Sequence, residues 1–141
     1  MDLTISNSLS GLMAARQRLG VAASNVANAG SDGALPGSGA PPGSPQPYAP
    51  LRVDQRSLLS GGTRAVVSQA DPAFVTGYDP DAPYANAEGE VAMPNVDLAS
   101  EAIGAMTARR AYEANAKMIA VADDIDRMAI DLGSPRHDLR A

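Results

Sequence analysis

The sequence predicts a mainly α-helical protein, in which an N-terminal and a C-terminal helix pair as an antiparallel coiled coil around a small β-rich or irregular middle insertion. Apolar residues recur at alternating spacings of three and four near both ends of the chain. Glycine and proline concentrate between these two segments. Two amphipathic helices bury their apolar stripes most simply against each other, so the ends of the chain are expected to meet across the insertion.

The N-terminal segment, residues 2–29, is predicted to be a helix because its apolar positions repeat as a heptad. The larger aliphatic residues of this seam are Ile5, Leu9, Leu12, Leu19 and Val26, with Ala23 and the charged Arg16 at further seam positions. Gly11 and Gly20 each cost a helix about 1 kcal/mol relative to alanine. We therefore expect a helix that is marginal until a partner covers its seam.

The middle of the chain is predicted to contain a loop followed by short strands. Residues 30–50 are a loop or linker, because 11 of these 21 residues are Gly or Pro and such a composition buries too little apolar surface to fold alone. Residues 51–94 form the insertion, with two or three short strands and an extended piece over 84–93. Gly61 and Gly62 are expected to form a hairpin turn, since glycine reaches the positive φ angles that such turns require.

The C-terminal segment, residues 95–132, is predicted to be one long helix, because good helix formers dominate it and no proline interrupts it. Asn95 is expected to cap it, and carboxylates in its first turns suit the positive end of the helix dipole. Its seam comprises Ala111, Ala114, Met118, Val121, Ile125, Met128 and Leu132. Apolar residues before position 107 are out of phase with this seam by about one residue, which predicts a change of neighbour along the helix.

Composition excludes several classes of function. The net charge is -5 with one lysine, which lacks the basic footprint of a nucleic-acid-binding protein. No apolar run reaches the roughly 20 residues of a membrane span. There is no cysteine, and the first residues carry neither the basic nor the apolar region of a cleaved signal peptide, which by itself favours the cytosol.

No residues point to catalysis, a cofactor or a metal site. Three aspartates at 123, 124 and 126 are interpreted as a solvated helix face, and Asp79 and Asp81 lack a third ligand at calcium-loop spacing. His137, in the polar tail 133–141, has no nearby nucleophile or acid. The basic pair Arg109-Arg110 leaves two interpretations open, an ion pair between subunits or ordinary surface arginines.

Two stretches of the sequence resemble a known family. Residues 10–28, and above all the run Ala-Ser-Asn-Val-Ala-Asn at 23–28, resemble the N-terminal signature of flagellar rod and hook proteins. The run Gly-Glu-Val-Ala-Met-Pro-Asn-Val-Asp-Leu at 89–98 resembles the C-terminal motif of FlgC-type proximal-rod proteins, together with Glu101, Met106 and residues 109–115. The residues that match the motifs and that we single out are Ser24, Asn25, Asn28, Pro94, Asn95, Asp97, Arg109, Tyr112 and Asn115. The chain departs from the family after Asn28, where the Gly/Pro-rich loop is expanded.

The resemblance implies a structural subunit of the bacterial flagellar basal body that polymerises helically through its terminal helices into the periplasmic rod. Such a rod transmits torque and encloses the export channel. The family also implies export through the flagellar type III apparatus without a cleaved signal. Its implied partners are further copies, other rod proteins, the adaptor between rod and membrane ring, and the surrounding basal-body ring.

Two other classes of function are weighed against this one. An exported coiled-coil adaptor or binding module would share the heptad seams but stop at a closed, soluble oligomer. An enzyme would require a converging acid, base or nucleophile, which the sequence does not contain. The rod subunit is the function that the sequence favours.

Overall fold

The computed structural model describes residues 2–133 as two long helices separated by two antiparallel strand pairs. The elements are α1 (Asp2–Ala27), β1 (Leu51–Ser57), β2 (Thr63–Gln69), β3 (Phe74–Tyr78), β4 (Glu90–Pro94) and α2 (Leu98–Gly133). β1 pairs with β2, and β3 pairs with β4, as separate two-stranded sheets. The layout of helical ends around a small β-containing middle is confirmed. His137 and nearly all of the tail lie outside the described residues.

The two helices pack antiparallel. Asn25, near the end of α1, donates a hydrogen bond to Glu101, near the start of α2, and Gly11 lies against Asn115. This register places Asp2 level with about residue 124. The last roughly nine residues of α2, about 13 Å of helix, therefore extend beyond the start of α1.

The β1–β2 hairpin lies along α1. The Thr63 amide donates to the Ser10 hydroxyl (3.0 Å), and the Arg18 guanidinium donates to the Gln55 side chain (3.3 Å). Gly61 and Gly62 have φ angles of 90° and 81° at the end of the hairpin, which confirms the expected glycine turn. One face of the hairpin thus packs on the helix, and the other faces away from it.

The β3–β4 pair is attached to the chain just beyond α1. Gly33 and Ala92 exchange two backbone hydrogen bonds (2.9 and 2.8 Å), so the start of the 30–50 loop pairs with β4. A Cβ at Gly33 would lie 2.3 Å from the backbone nitrogen of Pro47, and only glycine fits there. The Ala34 amide also donates to the Pro45 carbonyl (2.9 Å). Both sides of the loop are therefore fixed near its base.

The start of α2 differs from the prediction. The helix begins at Leu98, and its capping residue is Asp97, whose carboxylate accepts hydrogen bonds from the Ala99 amide and the Ser100 hydroxyl. These bonds, that of Ser100 first, lower the pKa of Asp97. Asn95 instead donates to the Pro72 carbonyl (3.0 Å). The expected cap at Asn95 is wrong because that side chain ties β4 to the segment before β3.

Small side chains dominate the buried part of the two helices. On α1 the buried residues are Ser8, Ala14, Ala15, Val21, Ala22 and Asn25. On α2 they are Ala108 and Ala122. Neither helix has an apolar window of the length and hydropathy needed to cross a bilayer, within the 2–133 range that the structure covers.

Candidate assembly interface

The heptad seams of the sequence lie beside the contact between the helices rather than at its centre. On α1, Ile5, Leu12 and Leu19 are mostly buried, whereas Leu9 and Val26 are each 48% exposed. The buried residues Ser8, Ala15 and Ala22 recur every seven positions, one residue before Leu9, Arg16 and Ala23. The face of α1 that meets α2 is therefore rotated by about one residue, roughly 100°, from the seam read from the sequence.

The seam of α2 shows the same separation more strongly. Ala111 is half-buried and Ala114 is exposed, and the last seam residue, Leu132, is 89% exposed. Four seam residues lie between Ala114 and Leu132, and we call them the outer stripe. They are Met118 (49% exposed), Val121 (50%), Ile125 (47%) and Met128 (57%). They follow one another at spacings of three and four, so they form one continuous apolar face that α1 leaves uncovered.

The contact between the helices, which we call the inner contact, depends on close approach. Ala108 is fully buried and Ala122 is 5% exposed. A Cβ at Gly11 would lie 2.5 Å from the Asn115 side-chain oxygen, whereas a Cβ at Gly20 would meet nothing within 4 Å. A side chain at Gly11 would therefore displace Asn115 of α2, whereas one at Gly20 has open space. Next to this contact, Thr4 and residues of the outer stripe line an open, mainly apolar groove.

A buried asparagine fixes one end of the inner contact. Asn25 is 1% exposed, and its amide nitrogen donates to the Leu51 carbonyl (2.7 Å) and to the Glu101 carboxylate (2.6 Å). Its oxygen accepts from the Leu51 amide (2.9 Å) and the Tyr48 hydroxyl (3.1 Å). All four hydrogen-bonding positions of the amide are occupied. One side chain thus joins α1, β1 and α2.

The neighbouring motif residues support the same junction. The Ser24 hydroxyl lies 3.0 Å from the Tyr48 hydroxyl, within hydrogen-bonding distance. The Asn28 side chain donates to the Ser24 carbonyl (2.9 Å), which satisfies one of the free carbonyls at the end of α1. The sequence did not connect Tyr48 or Glu101 with Asn25, because they lie 23 and 76 residues from it in the chain.

The other motif residues lie along the C-terminal part of the chain. Pro94 is buried at the end of β4, and Asn115 donates to the Ala111 carbonyl (2.8 Å). Arg109 binds Glu113 one turn later on α2 (2.9 Å), with 77% of its side chain exposed. Tyr112 is 42% exposed. The structure therefore brings Ser24 and Asn25 into one cluster with residues of α2, and leaves Arg109 and Tyr112 on the surface.

The motif residues are held by hydrogen bonds and by helix packing. Over residues 2–133, no group of three or more His, Asp or Glu side chains is arranged to hold a metal ion. Asp123 forms an ion pair with Arg127 on its own helix (2.7 Å). The features that distinguish the molecule are a close inner contact, a buried polar junction and an apolar face without cover.

Known proteins resemble this chain over most of its length. The family described as flagella basal body rod protein matches residues 5–34, and the family described as flagellar basal body rod FlgEFG protein C-terminal matches residues 87–132. Flagellar basal-body rod protein FlgC of Escherichia coli O6:H1 is 36% identical over 88% of this chain and 91% of its own length. The FlgC protein of Salmonella typhimurium has the same identity and coverage. That of Bacillus subtilis is 28% identical over 92% of this chain and 96% of its own length.

Proposed function

The chain belongs to the FlgC family of flagellar basal-body rod proteins, and from this membership we propose how its two helices build the rod. It is a structural subunit of the flagellar basal body and not an enzyme. The alternative of an adaptor that forms a closed soluble oligomer is not favoured by these relatives. The proposal concerns the assembly itself.

The rod is assembled helically through the terminal helices, and the outer stripe is the surface that a neighbouring copy covers. The observation that carries this proposal is the exposure of the four stripe residues, each close to half exposed, on a helix whose inner contact is already closed. Full burial of a side chain of this size is worth roughly 1.5–3 kcal/mol, so covering the remaining half contributes about 1 kcal/mol for each residue. Because each subunit of a helical rod contacts several neighbours, contributions of this size add up to a stable polymer.

We propose that the two seams are the surface through which copies of this chain assemble. They run from Ile5 to Val26 on α1 and from Ala111 to Leu132 on α2. Their large side chains flank the inner contact on both helices. A coiled coil in the strict sense then forms between copies, with the small residues of the inner contact holding each subunit together. This arrangement also agrees with the change of phase along α2, because each part of that helix meets a different neighbour.

The other partners are proposed from the family. They are the other rod proteins, the adaptor between rod and membrane ring, and the basal-body ring around the rod. The assembled rod spans the periplasm, transmits torque and encloses the export channel, and each subunit reaches its growing end through the flagellar type III apparatus. A strain that lacks this apparatus is expected to retain the subunit in the cytoplasm, as cell fractionation would detect.

The proposal is tested by placing a charge on the outer stripe. Ile125→Asp is expected to abolish rod assembly and swimming, because an unpaired carboxylate is not tolerated in an apolar contact. The purified monomer is expected to lose only about 1 kcal/mol of stability, because about half of the Ile125 side chain is already exposed in the isolated chain. Leu19→Asp, on the α1 seam, is also expected to prevent assembly and to destabilise the monomer more strongly, because Leu19 is more deeply buried than Ile125.

The matched control is Ala116→Asp, at an exposed position on the side of α2 away from both the outer stripe and the inner contact. It introduces the same helix-disfavouring residue and is expected to leave swimming intact. Swimming cells with normal rods in the Ile125→Asp strain would contradict the proposal. Sedimentation of a mixture with other rod proteins distinguishes an open polymer from a closed oligomer, because only the polymer continues to grow with protein concentration.

A further inference from the structure

The outer face of the β1–β2 hairpin carries an excess of positive charge, with Arg52, Arg56 and Arg64 against the single acid Asp54. Arg56 and Arg64 are directly opposite each other in the strand register, and both are exposed. Like charges at opposed positions destabilise a strand pair. Over the 2–133 range neither arginine forms an ion pair, whereas Arg52 on the same face binds Asp54 (3.2 Å). We call this surface the arginine face.

The complementary charge lies elsewhere in the same chain. Residues 65–108 contain seven Asp or Glu and no Lys or Arg. Asp79, Asp81 and Glu88 are exposed on the connection between β3 and β4, which we call the acidic loop. Beside it Tyr78 is 73% exposed, and an aromatic ring is a surface on which a guanidinium stacks favourably.

The two surfaces do not neutralise each other within one chain. Arg64 is level with Ser10 of α1, since the adjacent Thr63 binds the Ser10 hydroxyl. The β3–β4 pair is attached beyond the end of α1, at Gly33, and the stretch from Ser10 to Ala27 is about 25 Å of helix. In the described part of the chain neither strand of this pair packs on a helix or on the hairpin. Charges so far apart are screened from each other at physiological salt.

We propose that the arginine face of one copy binds the acidic loop of the next copy, so that subunits join head to tail along the rod. This inference rests on the proposed function and names one pair of surfaces that meet. Two different surfaces make a heterologous contact, which excludes a two-fold symmetric dimer and generates an open helical polymer when successive rotations do not close into a ring. The occupant of the arginine face is therefore a second copy of this chain.

Cross-linking tests the contact without altering the charges. The chain has no cysteine, so the double variant Val66→Cys with Ala87→Cys places one thiol on the arginine face and one on the acidic loop. A short bifunctional thiol cross-linker applied to assembled rods is expected to give a ladder of dimers, trimers and longer products. Each single variant is expected to give none of the longer products. Dimers alone, or a product joined to a protein of another mass, would overturn the proposal.

Charge reversal provides the second arm. Arg56→Glu with Arg64→Glu is expected to reduce the number of assembled rods about tenfold or more, and Asp81→Arg with Glu88→Arg is expected to do the same. Combining all four changes is expected to restore assembly, because attraction returns with the signs exchanged. Failure of the combination to restore it would overturn the proposal. If rods assemble but no cross-linked ladder appears, the contact between the arginine face and the acidic loop is refuted, while the proposed function stands. If Ile125→Asp cells form normal rods, the proposed function itself is refuted.

Discussion

The two sides of α2 contrast in the size of their side chains. The side that faces α1 is lined by residues such as Ala108 and Ala122, which are almost fully buried, and the adjoining outer stripe carries Met, Val and Ile that remain about half exposed. Small residues allow two helix axes to approach closely, whereas large ones hold them apart and offer more area to a partner. On α2, the Met, Val and Ile residues of the outer stripe therefore contribute less to the contact within the monomer than their size suggests.

The largest effect on the inner contact is expected from Asn25→Asp. The substitution replaces an amide that donates to Glu101 by a second carboxylate, which leaves two like charges 2.6 Å apart at a buried position. We expect the free energy of unfolding to fall by about 3 kcal/mol or more. Chemical denaturation of the monomer measures this.

Glu101→Gln added to Asn25→Asp provides the control, because the glutamine amide donates to the new carboxylate. The double variant is expected to recover the part of the lost stability that comes from the Glu101 contact, while the Leu51 carbonyl remains without its donor. Equal instability with and without the second change would show that Glu101 is not the group that determines the effect.

The close approach of the helices is tested by Ala108→Leu. Ala108 is fully buried, so the added methyl groups force the helices apart at a cost of about 1–3 kcal/mol. The matched change on the outer stripe, Val121→Leu, is expected to alter the unfolding of the monomer by less than about 0.5 kcal/mol. Similar losses at both positions would remove the distinction between the two sides of α2.

Two glycines on α1 are expected to respond with opposite signs. Gly20→Ala meets no atom within 4 Å and is expected to stabilise the monomer by about 0.5–1 kcal/mol through its effect on the unfolded chain and on helix propensity. In Gly11→Ala the new Cβ would lie 2.5 Å from the Asn115 side chain, which must move and lose its place in the inner contact. Thermal melts of the two variants are expected to shift in opposite directions, and a stabilising Gly11→Ala would contradict the packing.

The smallest effect is expected at the cap of α2. The lowered pKa of Asp97 comes from hydrogen bonds that favour its carboxylate, so its stabilisation is fully present above the ordinary aspartate pKa and is lost as the pH falls through the lowered one. Asp97→Ala is expected to remove this pH dependence together with the cap. Asp97→Asn retains a capping oxygen, and is expected to keep most of the stability while losing the pH dependence.

Periodicity was sufficient to predict the two helices but not which of their faces meet. The hydrophobic pattern predicts that Leu9, Ile125 and similar residues are buried, because large apolar side chains usually lie in the interior of a folded chain. In a chain that assembles with its neighbours, the large apolar residues are available for contacts between copies. The contact between the two helices of one copy is then formed by alanine, serine and glycine. Nothing local in the sequence distinguishes an alanine that faces a helix within the chain from one that faces water.

The hydrogen-bond partners of individual polar side chains could not be predicted from the sequence either. Asn95 and Asp97 are both acceptable capping residues, and the choice depends on the Pro72 carbonyl, which only the folded β3–β4 region places near Asn95. The family signature singled out Asn25, but its partners on Tyr48 and Leu51 come from the far side of the Gly/Pro-rich loop. The motif therefore identified Asn25 as important, but only the folded structure shows which groups it binds.

The loop between α1 and β1 has a practical consequence for labelling the rod in isolated basal bodies. Its base is fixed by the bonds of Gly33 to β4 and of Ala34 to Pro45, while Gly37 and Gly39 near its tip adopt positive φ angles. Added length at such a tip costs little, because loop entropy grows slowly with chain length. A short epitope inserted after Gly39 would therefore leave both helices undisturbed, and an antibody against it would report how far the loop stands from the rod axis.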